Sequence, residues 1–127
     1  MAKRDTKRIN IMVVAHRPAF VADSPHLKSI QVGTSQTGKL EGMDYYDNTG
    51  DNISSKNKSY CELTAIYWTW KNLDSDYYGL FHYRRYLAFM NDDETDDYDG
   101  RAYPDIQSSL GKIRLDDKRM RSIIESY

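Results

Sequence analysis

An almost unbroken apolar run, INIMVVA from Ile9 to Ala15, predicts the first element of the chain. It is rich in β-branched residues, which is typical of a strand buried on both faces of a parallel sheet. Pro18 cannot donate to a sheet ladder, so the strand should end at His16 and Arg17. A weaker strand is predicted from Ser29 to Val32.

The segment from Ser59 to Asn72 predicts the clearest helix. Ser59 and Glu62 have the S-x-x-E spacing of a capping box, in which two side chains bind backbone N–H groups that the first turn leaves unpaired. An apolar stripe at helical spacing should pack on a sheet; its members are Leu63, Ile66, Tyr67 and Trp70. Trp68 should then face a missing segment or a partner, and Cys61 is interpreted as a small packing residue.

Two further elements follow the helix. The short apolar run from Tyr77 to Phe81 predicts a central strand, in which Gly79 indicates close approach of a neighbouring backbone. This order of elements predicts a Rossmann-like α/β domain with a mainly parallel sheet. A last amphipathic helix is predicted after an N-cap at Asp116, with Leu115 and Met120 as a hydrophobic staple. Its apolar positions are Met120, Ile123, Ile124 and Tyr127.

The last helix reaches the end of the sequence while still amphipathic, at Tyr127. We therefore expect either a truncated domain or a partner that covers the end of this helix.

Two long segments are predicted as loops. Residues 34–58 are mostly polar without a sustained period, so this loop is either functional or disordered. Residues 91–100 hold many acidic side chains and should be solvated.

Composition narrows the function classes. The chain has 127 residues, enough for a single domain or part of one, which we place at residues 1–127. A net charge of −1 argues against a general basic surface for nucleic acid. The single cysteine excludes an internal disulfide, and no apolar segment is long enough to span a membrane. We expect a soluble, cytoplasmic protein.

Polar side chains follow two predicted strands, at the point where each strand ends. They are His16 and Arg17 after the first, and His82, Tyr83, Arg84 and Arg85 after the strand at residues 77–81. If the strands are neighbours, these groups meet at the carboxyl edge, where open α/β sheets bind ligands. Guanidinium groups match phosphate oxygens, so a di- or polyphosphate is the expected ligand. In the competing interpretation, the two later arginines pair with acids of the following loop and both histidines make structural hydrogen bonds.

The loop DNTGDNISSKN, from Asp47 to Asn57, is a second candidate region. Asp51, Asn52 and Lys56 are expected to reach the same edge and to hold a ribose, sugar or phosphate. Alternatively, the Asn and Asp side chains only bind their own backbone, as they commonly do in turns. No established phosphate-loop or dinucleotide-binding motif is present.

Carboxylates that could bind Mg²⁺ or Mn²⁺ occur at Asp74, Asp76 and residues 92–99. Asp74 and Asp76 precede their strand and should lie at its amino end, away from the proposed site. The acidic run is interpreted as an ordinary solvated loop. We therefore assign no metal ligands from the residues alone.

Two stretches resemble a known family. DNTGDNIS-x-KN-x-x-YCELTA-x-YW-x-WKN from Asp47 to Asn72, followed by GL-x-HYRRY from Gly79 to Tyr86, resembles the signature of bacterial capsular or exopolysaccharide synthesis proteins. These are regarded as GT-A-like glycosyltransferases. VVAHRP and IQVG, which begin at Val13 and Ile30, are similar to that family's first two strands.

The resemblance implies a hexosyltransferase-type enzyme that uses a nucleotide-diphosphate sugar, expected to be a UDP-sugar. Its acceptor would be a polysaccharide or a lipid-linked sugar in capsule, exopolysaccharide or O-antigen synthesis, at the inner face of the plasma membrane. His16, Arg17, Asp51, Asn52 and Lys56 would then bind the donor, together with His82, Tyr83, Arg84 and Arg85. Catalytic candidates are His82, Arg84 and Arg85.

Two questions stay open at the level of sequence. Many GT-A enzymes hold Mn²⁺ or Mg²⁺ with an Asp-x-Asp motif where this chain has HYRR at residues 82–85. We favour cations that replace the metal over a metal bound elsewhere. Family members also continue beyond the equivalent of Tyr127, so the chain resembles their amino-terminal, donor-binding part. The alternative to an enzyme is a non-catalytic module that binds nucleotide sugar or polysaccharide; a phosphoesterase has little support.

Overall fold

A four-stranded parallel sheet forms the centre of the protein, in a computed structural model that describes residues 7–84, residue 86 and residues 117–126. The strands are β1 (Ile9–Ala15), β2 (Leu27–Gln31), β3 (Tyr45–Tyr46) and β4 (Tyr77–His82), in the spatial order β3-β2-β1-β4. β1 pairs in parallel with both β2 and β4. β4 therefore lies at an edge of the described sheet, which corrects its prediction as a central strand. β2 begins two residues before the predicted strand and ends one residue before the predicted end. The predicted α/β fold with a mainly parallel sheet is confirmed.

Five short helical segments complete the described structure. They are α1 (Thr34–Thr37), a 3₁₀ turn (Ser54–Lys56), α2 (Asn57–Tyr60), α3 (Leu63–Asn72) and α4 (Asp117–Glu125). The predicted carboxyl-terminal helix is therefore present, and Met120 on it is fully buried. Leu115, Asp116 and Tyr127 lie outside the described residues, so the staple, the N-cap and the end of the helix stay predictions.

Side chains of β1 alternate between the two faces of the sheet, so both faces are apolar. A helix packs against each of them. On one face Ile9, Ile11 and Val13 pack with Phe81 and Met120. The opposite face is formed by Met12, Val14, Ile30, Val32, Ala65 and Trp68. β1 is thus buried on both faces, as its continuous apolar sequence predicts. A Cβ on Gly79 would lie 2.9 Å from the Cγ1 of Ile11, so the close neighbour is a side chain of β1, whereas the sequence predicts a neighbouring backbone.

The predicted helix from Ser59 to Asn72 is two helices, and the capping box is wrong. Cys61 separates α2 from α3 with a left-handed backbone at φ 50°. Glu62 is the N-cap of α3 and makes no side-chain capping hydrogen bond. Cys61 is exposed, which also corrects its interpretation as a packing residue. The S-x-x-E spacing fails here because the turn at Cys61 interrupts the helical path between Ser59 and Glu62.

The face that α3 turns to the sheet is also opposite to the predicted one. Thr64, Ala65, Trp68 and Thr69 are buried, with Trp68 only 5% exposed. Trp70 is 64% exposed, and Leu63 and Ile66 are exposed as well. Thr69 can be buried because its hydroxyl donates to the Ala65 carbonyl at 2.8 Å. The small side chains of Ala65 and the threonines also let the helix approach the sheet closely.

Beside β4, the outward side of α3 forms one wall of an apolar groove of about 340 Å³. Its lining residues are Met12, Ile66, Thr69, Trp70, Tyr78, Gly79 and Leu80.

Among the residues that the structure describes, none belongs to a helix long and apolar enough to cross a membrane.

Candidate functional site

The polar residues that follow β1 and β4 lie at the same edge of the sheet because these strands are direct neighbours. The parallel register places Val14 opposite His82. Val14 is two residues before His16, and His82 is one residue before Tyr83. The backbone N–H of Tyr83 donates to the Val14 carbonyl at 2.9 Å, so the pairing continues beyond β4. This confirms the adjacency on which the predicted phosphate site depends.

Five side chains form a continuous group at this carboxyl edge, which we name the cationic rim: His16, Arg17, His82, Tyr83 and Arg84. The Tyr83 ring is at its centre. It packs edge-on against His16 at 5.6 Å between ring centres and lies 4.5 Å from the ring of His82. The guanidinium of Arg84 lies 5.4 Å from the same ring, within cation–π range. Arg17 donates from Nε to His16 Nε2 at 3.4 Å.

Both arginines of the cationic rim are exposed, so their guanidinium groups are accessible to a ligand. The predicted convergence therefore holds for His16, Arg17, His82, Tyr83 and Arg84. Arg85 lies outside the described residues, and its part in the site stays a prediction. The same applies to pairing between the arginines and the acidic run at residues 92–99, which the structure does not describe.

Glu62 joins the cationic rim from the amino-terminal end of α3. Its Oε1 lies 3.8 Å from His82 Nε2. The other ring nitrogen, Nδ1, accepts a hydrogen bond from the Arg84 backbone N–H at 3.2 Å. The sequence pattern assigns Glu62 to a helix cap, so only the structure identifies it as part of this site.

A buried carboxylate, Asp47, organises the long polar segment that precedes α2. It is fully buried and accepts four hydrogen bonds from neutral donors. These come from the backbone N–H groups of Gly33 (2.8 Å) and Thr34 (3.1 Å) and from the hydroxyls of Ser54 (2.6 Å) and Thr64 (2.8 Å). Asp47 thereby joins the end of β2, the 3₁₀ turn and α3 at the carboxyl edge of the sheet.

This network excludes the disordered alternative for residues 34–58, and their function stays a prediction. The segment holds α1, β3 and the 3₁₀ turn, and its polar side chains bind one another rather than solvent alone. Ser35 and Ser54 share a hydrogen bond at 3.0 Å, and Gln36 Nε2 donates to the Ser55 carbonyl at 2.9 Å. The segment is therefore an ordered support for the sheet edge.

The structure places Asp51 beside the second half of α3. Its backbone N–H donates to Asn72 Oδ1 at 3.3 Å, and its carboxylate accepts from the Tyr67 hydroxyl at 2.8 Å. The hydrogen bond to Asp51 raises the pKa of the Tyr67 hydroxyl, and desolvation raises it further to a smaller extent. Glu62 and Asn72 are about 15 Å apart along a helix rising 1.5 Å per residue, so the backbone of Asp51 is held at the opposite end of α3 from Glu62.

Asn52 and Lys56 have different surroundings. Asn52 binds within its own loop, donating to the Gly50 carbonyl at 3.0 Å and accepting from the Ser54 backbone N–H at 3.1 Å. Lys56 is exposed on the 3₁₀ turn. Gly50 has φ 55°, and a Cβ there would lie 2.2 Å from Asn72 Oδ1, so the loop conformation requires glycine. Donor binding by Asp51, Asn52 and Lys56 stays a prediction.

Among the described residues, the cationic rim offers Glu62, His16 and His82 as possible metal ligands beside two guanidinium groups, whereas Mg²⁺ prefers several oxygen ligands. Replacement of a metal by these cations stays a prediction. Within residues 7–84, 86 and 117–126 there is no group of three or more His, Cys, Asp or Glu side chains arranged to hold a metal ion. Asp74 and Asp76 lie at the amino edge, where they bind Arg8.

A solved structure titled "WbbM bifunctional glycosytransferase apo structure" is similar to this chain with a TM-score of 0.78 and 32% sequence identity. This similarity and the parallel sheet together define a class, the α/β proteins of glycosyltransferase-like architecture. The match covers 93% of this chain and 21% of that chain, so this protein spans about a fifth of the neighbour's length. No curated protein matches the chain.

Residues 10–127 match the family described as Domain of unknown function (DUF4422). The chain belongs to this family.

Proposed function

We propose that this protein is a glycosyltransferase that binds a nucleotide-diphosphate sugar, specifically a UDP-sugar, at the cationic rim. The observation that carries this proposal is the convergence of Arg17, Arg84 and two histidines from neighbouring parallel strands at the carboxyl edge. Ligands of open α/β sheets bind at such edges. The 32% identity to a chain titled as a bifunctional glycosyltransferase supports the same reaction class.

The chemistry of sugar transfer explains why positive charge is useful here. When the bond between the sugar and the diphosphate breaks, negative charge develops on the leaving diphosphate. The guanidinium groups of Arg17 and Arg84 would stabilise that charge through bidentate hydrogen bonds, without moving at the moment of reaction. His82 would donate a hydrogen bond to a phosphate oxygen or move a proton at the reacting centre, so it remains a catalytic candidate with Arg84 and Arg85.

The acceptor in this proposal is a growing polysaccharide or a lipid-linked sugar. The reaction would contribute to capsule, exopolysaccharide or O-antigen synthesis at the inner face of the plasma membrane. This part follows from the resemblance of the motifs at residues 47–72 and 79–86, and it concerns the whole protein.

Calorimetric titration with UDP and UDP-sugars, with and without Mn²⁺, tests the donor site. We expect wild type to bind UDP without added Mn²⁺. The double variant Arg17→Ala/Arg84→Ala should bind UDP at least about tenfold more weakly, since hydrogen bonds to charged groups contribute about 1.5–3 kcal/mol each and 1.4 kcal/mol is tenfold. Uridine lacks the diphosphate, so wild type and the double variant should bind uridine with the same affinity.

Lys7→Ala is the matched control, because Lys7 is an exposed cation at the opposite, amino edge of the sheet. It should leave UDP affinity unchanged. Absence of binding by wild type, or equal affinity in the double variant, would refute the proposed site. Transfer of radiolabelled sugar from the bound UDP-sugar to an acceptor then separates an enzyme from a non-catalytic binding module.

A further inference from the structure

The outer side of β4 carries backbone groups that no described strand pairs with. Tyr77 and Tyr83 donate their backbone N–H groups to the side of β1. Successive residues of a strand direct their backbone hydrogen bonds to opposite sides, so Tyr78 and Leu80 direct theirs away from β1. Within the described residues the sheet ends at this side of β4. Such an edge can pair with a strand of another chain.

The side chains beside this edge form an apolar surface. Of the large apolar side chains that are exposed within the described residues, all but Phe20 and Tyr60 lie on α3 or β4. They are Leu63, Ile66, Trp70, Tyr78 and Leu80, which are between 38% and 64% exposed. Four of them line the apolar groove beside β4, and Leu63 lies one turn of α3 before Ile66. Contiguous exposed apolar surface commonly marks a site for another protein.

We propose that this surface binds a second copy of the chain, with the two β4 strands antiparallel about a twofold axis. Tyr78 then lies opposite Leu80 of the second copy. Both residues direct backbone groups outward, as a hydrogen-bonded pair in an antiparallel ladder requires. A twofold contact uses the same surface on both copies, so the exposed side chains of each copy cover the groove of the other.

The charges at the two ends of β4 are complementary in this arrangement. Asp74 precedes β4 and its side chain is 85% exposed, although it binds Arg8. Arg84 follows β4 at the opposite edge of the sheet and is exposed. In an antiparallel pair the numbers of opposed residues have a constant sum, so the register that sets Tyr78 against Leu80 also sets Asp74 against Arg84. Parallel strands would instead bring like charges together.

The available surface is large enough to contribute most of a stable interface. Five side chains of roughly 150–250 Å² each, about half exposed, supply on the order of 500 Å² of apolar surface per copy. The edges of two six-residue strands and their charged ends add to this area. Interfaces of standard size bury about 800 Å² per partner.

Sedimentation velocity over a concentration series tests the proposal. We expect wild type to form a concentration-dependent dimer with twice the mass of one chain. Trp70→Glu places a charge in the apolar groove and should weaken the dimer at least about tenfold. Phe20→Glu is the matched control, because Phe20 is an exposed aromatic side chain that lies on neither α3 nor β4, and it should leave the dimer unchanged. Urea unfolding of each variant confirms that it is folded.

Reversal of the charges tests the register. Asp74→Arg sets like charges against each other at both ends of the interface, so it should weaken the dimer about three- to tenfold. Asp74→Arg/Arg84→Asp exchanges the two charges and should restore wild-type dimerisation.

A wild-type chain that stays monomeric at every concentration would overturn the second copy as the occupant, in favour of another segment or protein at this edge. A dimer that Trp70→Glu leaves intact would show that the copies meet elsewhere. Failure of Arg84→Asp to rescue Asp74→Arg would overturn the antiparallel register.

Discussion

Asp47→Asn is expected to lower the free energy of unfolding by about 3 kcal/mol, the largest loss that we predict for a polar side chain. The substitution replaces an acceptor oxygen with an amide NH₂ that faces the donors already present. The hydroxyls of Ser54 and Thr64 can rotate, whereas the backbone N–H groups of Gly33 and Thr34 cannot. Each buried donor left without an acceptor costs about 1–3 kcal/mol. Urea unfolding monitored by tryptophan fluorescence measures the loss.

Asp44→Asn is the matched control for this prediction. Asp44 also accepts a hydrogen bond from a backbone N–H, that of Ser29 at 2.8 Å, but it is exposed. Water can replace the lost interaction there, so we expect a loss below about 1 kcal/mol. Equal losses for Asp47→Asn and Asp44→Asn would show that the buried carboxylate does not organise residues 33–64.

Trp68→Ala should cost about 3–5 kcal/mol, the range observed when a buried aromatic side chain is truncated. The indole packs 4.9 Å from the Tyr45 ring, between ring centres, and its Nε1–H donates to the carbonyl and the hydroxyl of Thr49. The substitution would therefore leave a cavity under α3 and leave Thr49 without two of its contacts. Urea unfolding, monitored by circular dichroism because a tryptophan is removed, gives the free energy.

Trp70→Ala is the natural comparison, because it removes the same side chain two residues further along the same helix. Trp70 is largely exposed and stacks with the Lys71 ammonium at 3.8 Å, so its loss should cost less than about 1 kcal/mol. The apolar stripe in the sequence predicts the opposite result, in which Trp70→Ala lowers the free energy of unfolding more than Trp68→Ala does. A larger loss for Trp70→Ala than for Trp68→Ala would therefore contradict the orientation of α3.

β1 could be predicted from the sequence because its burial is nearly complete, whereas β3 lies in a segment that the sequence predicts as a loop. β1 has the bounds that its apolar run predicts, and β4 extends the predicted strand by only one residue, His82. A strand buried on both faces needs apolar residues at every position, so its signal is continuous. α3 has no such signal, because Thr64 and Thr69 are buried through hydrogen bonds that a hydrophobic pattern counts as polar.

The site could be predicted only where it depends on strand order. His16 follows β1 and His82 ends β4, and these strands proved to be neighbours, so the rule for parallel sheets brings the two histidines together. Asp47 and Glu62 could not be assigned in this way. Their roles depend on a left-handed turn at Cys61 and on contacts between residues far apart in sequence, such as Gly33 with Asp47. Local spacing contains neither kind of information.

The three histidines allow the donor site to be located in a single experiment. His16 and His82 lie at the carboxyl edge of the sheet, whereas His26 is buried at the amino edge, directly before β2. Since the chain has only these three imidazoles, the ¹⁵N-labelled histidine spectrum contains one control and two reporters.

Titration of this labelled protein with UDP tests the central claim most directly. We predict that the imidazole signals of His16 and His82 shift together, with one dissociation constant, while those of His26 stay in place. UDP that shifts His26 and leaves His16 and His82 unchanged would contradict the assignment of the nucleotide-sugar site to the cationic rim.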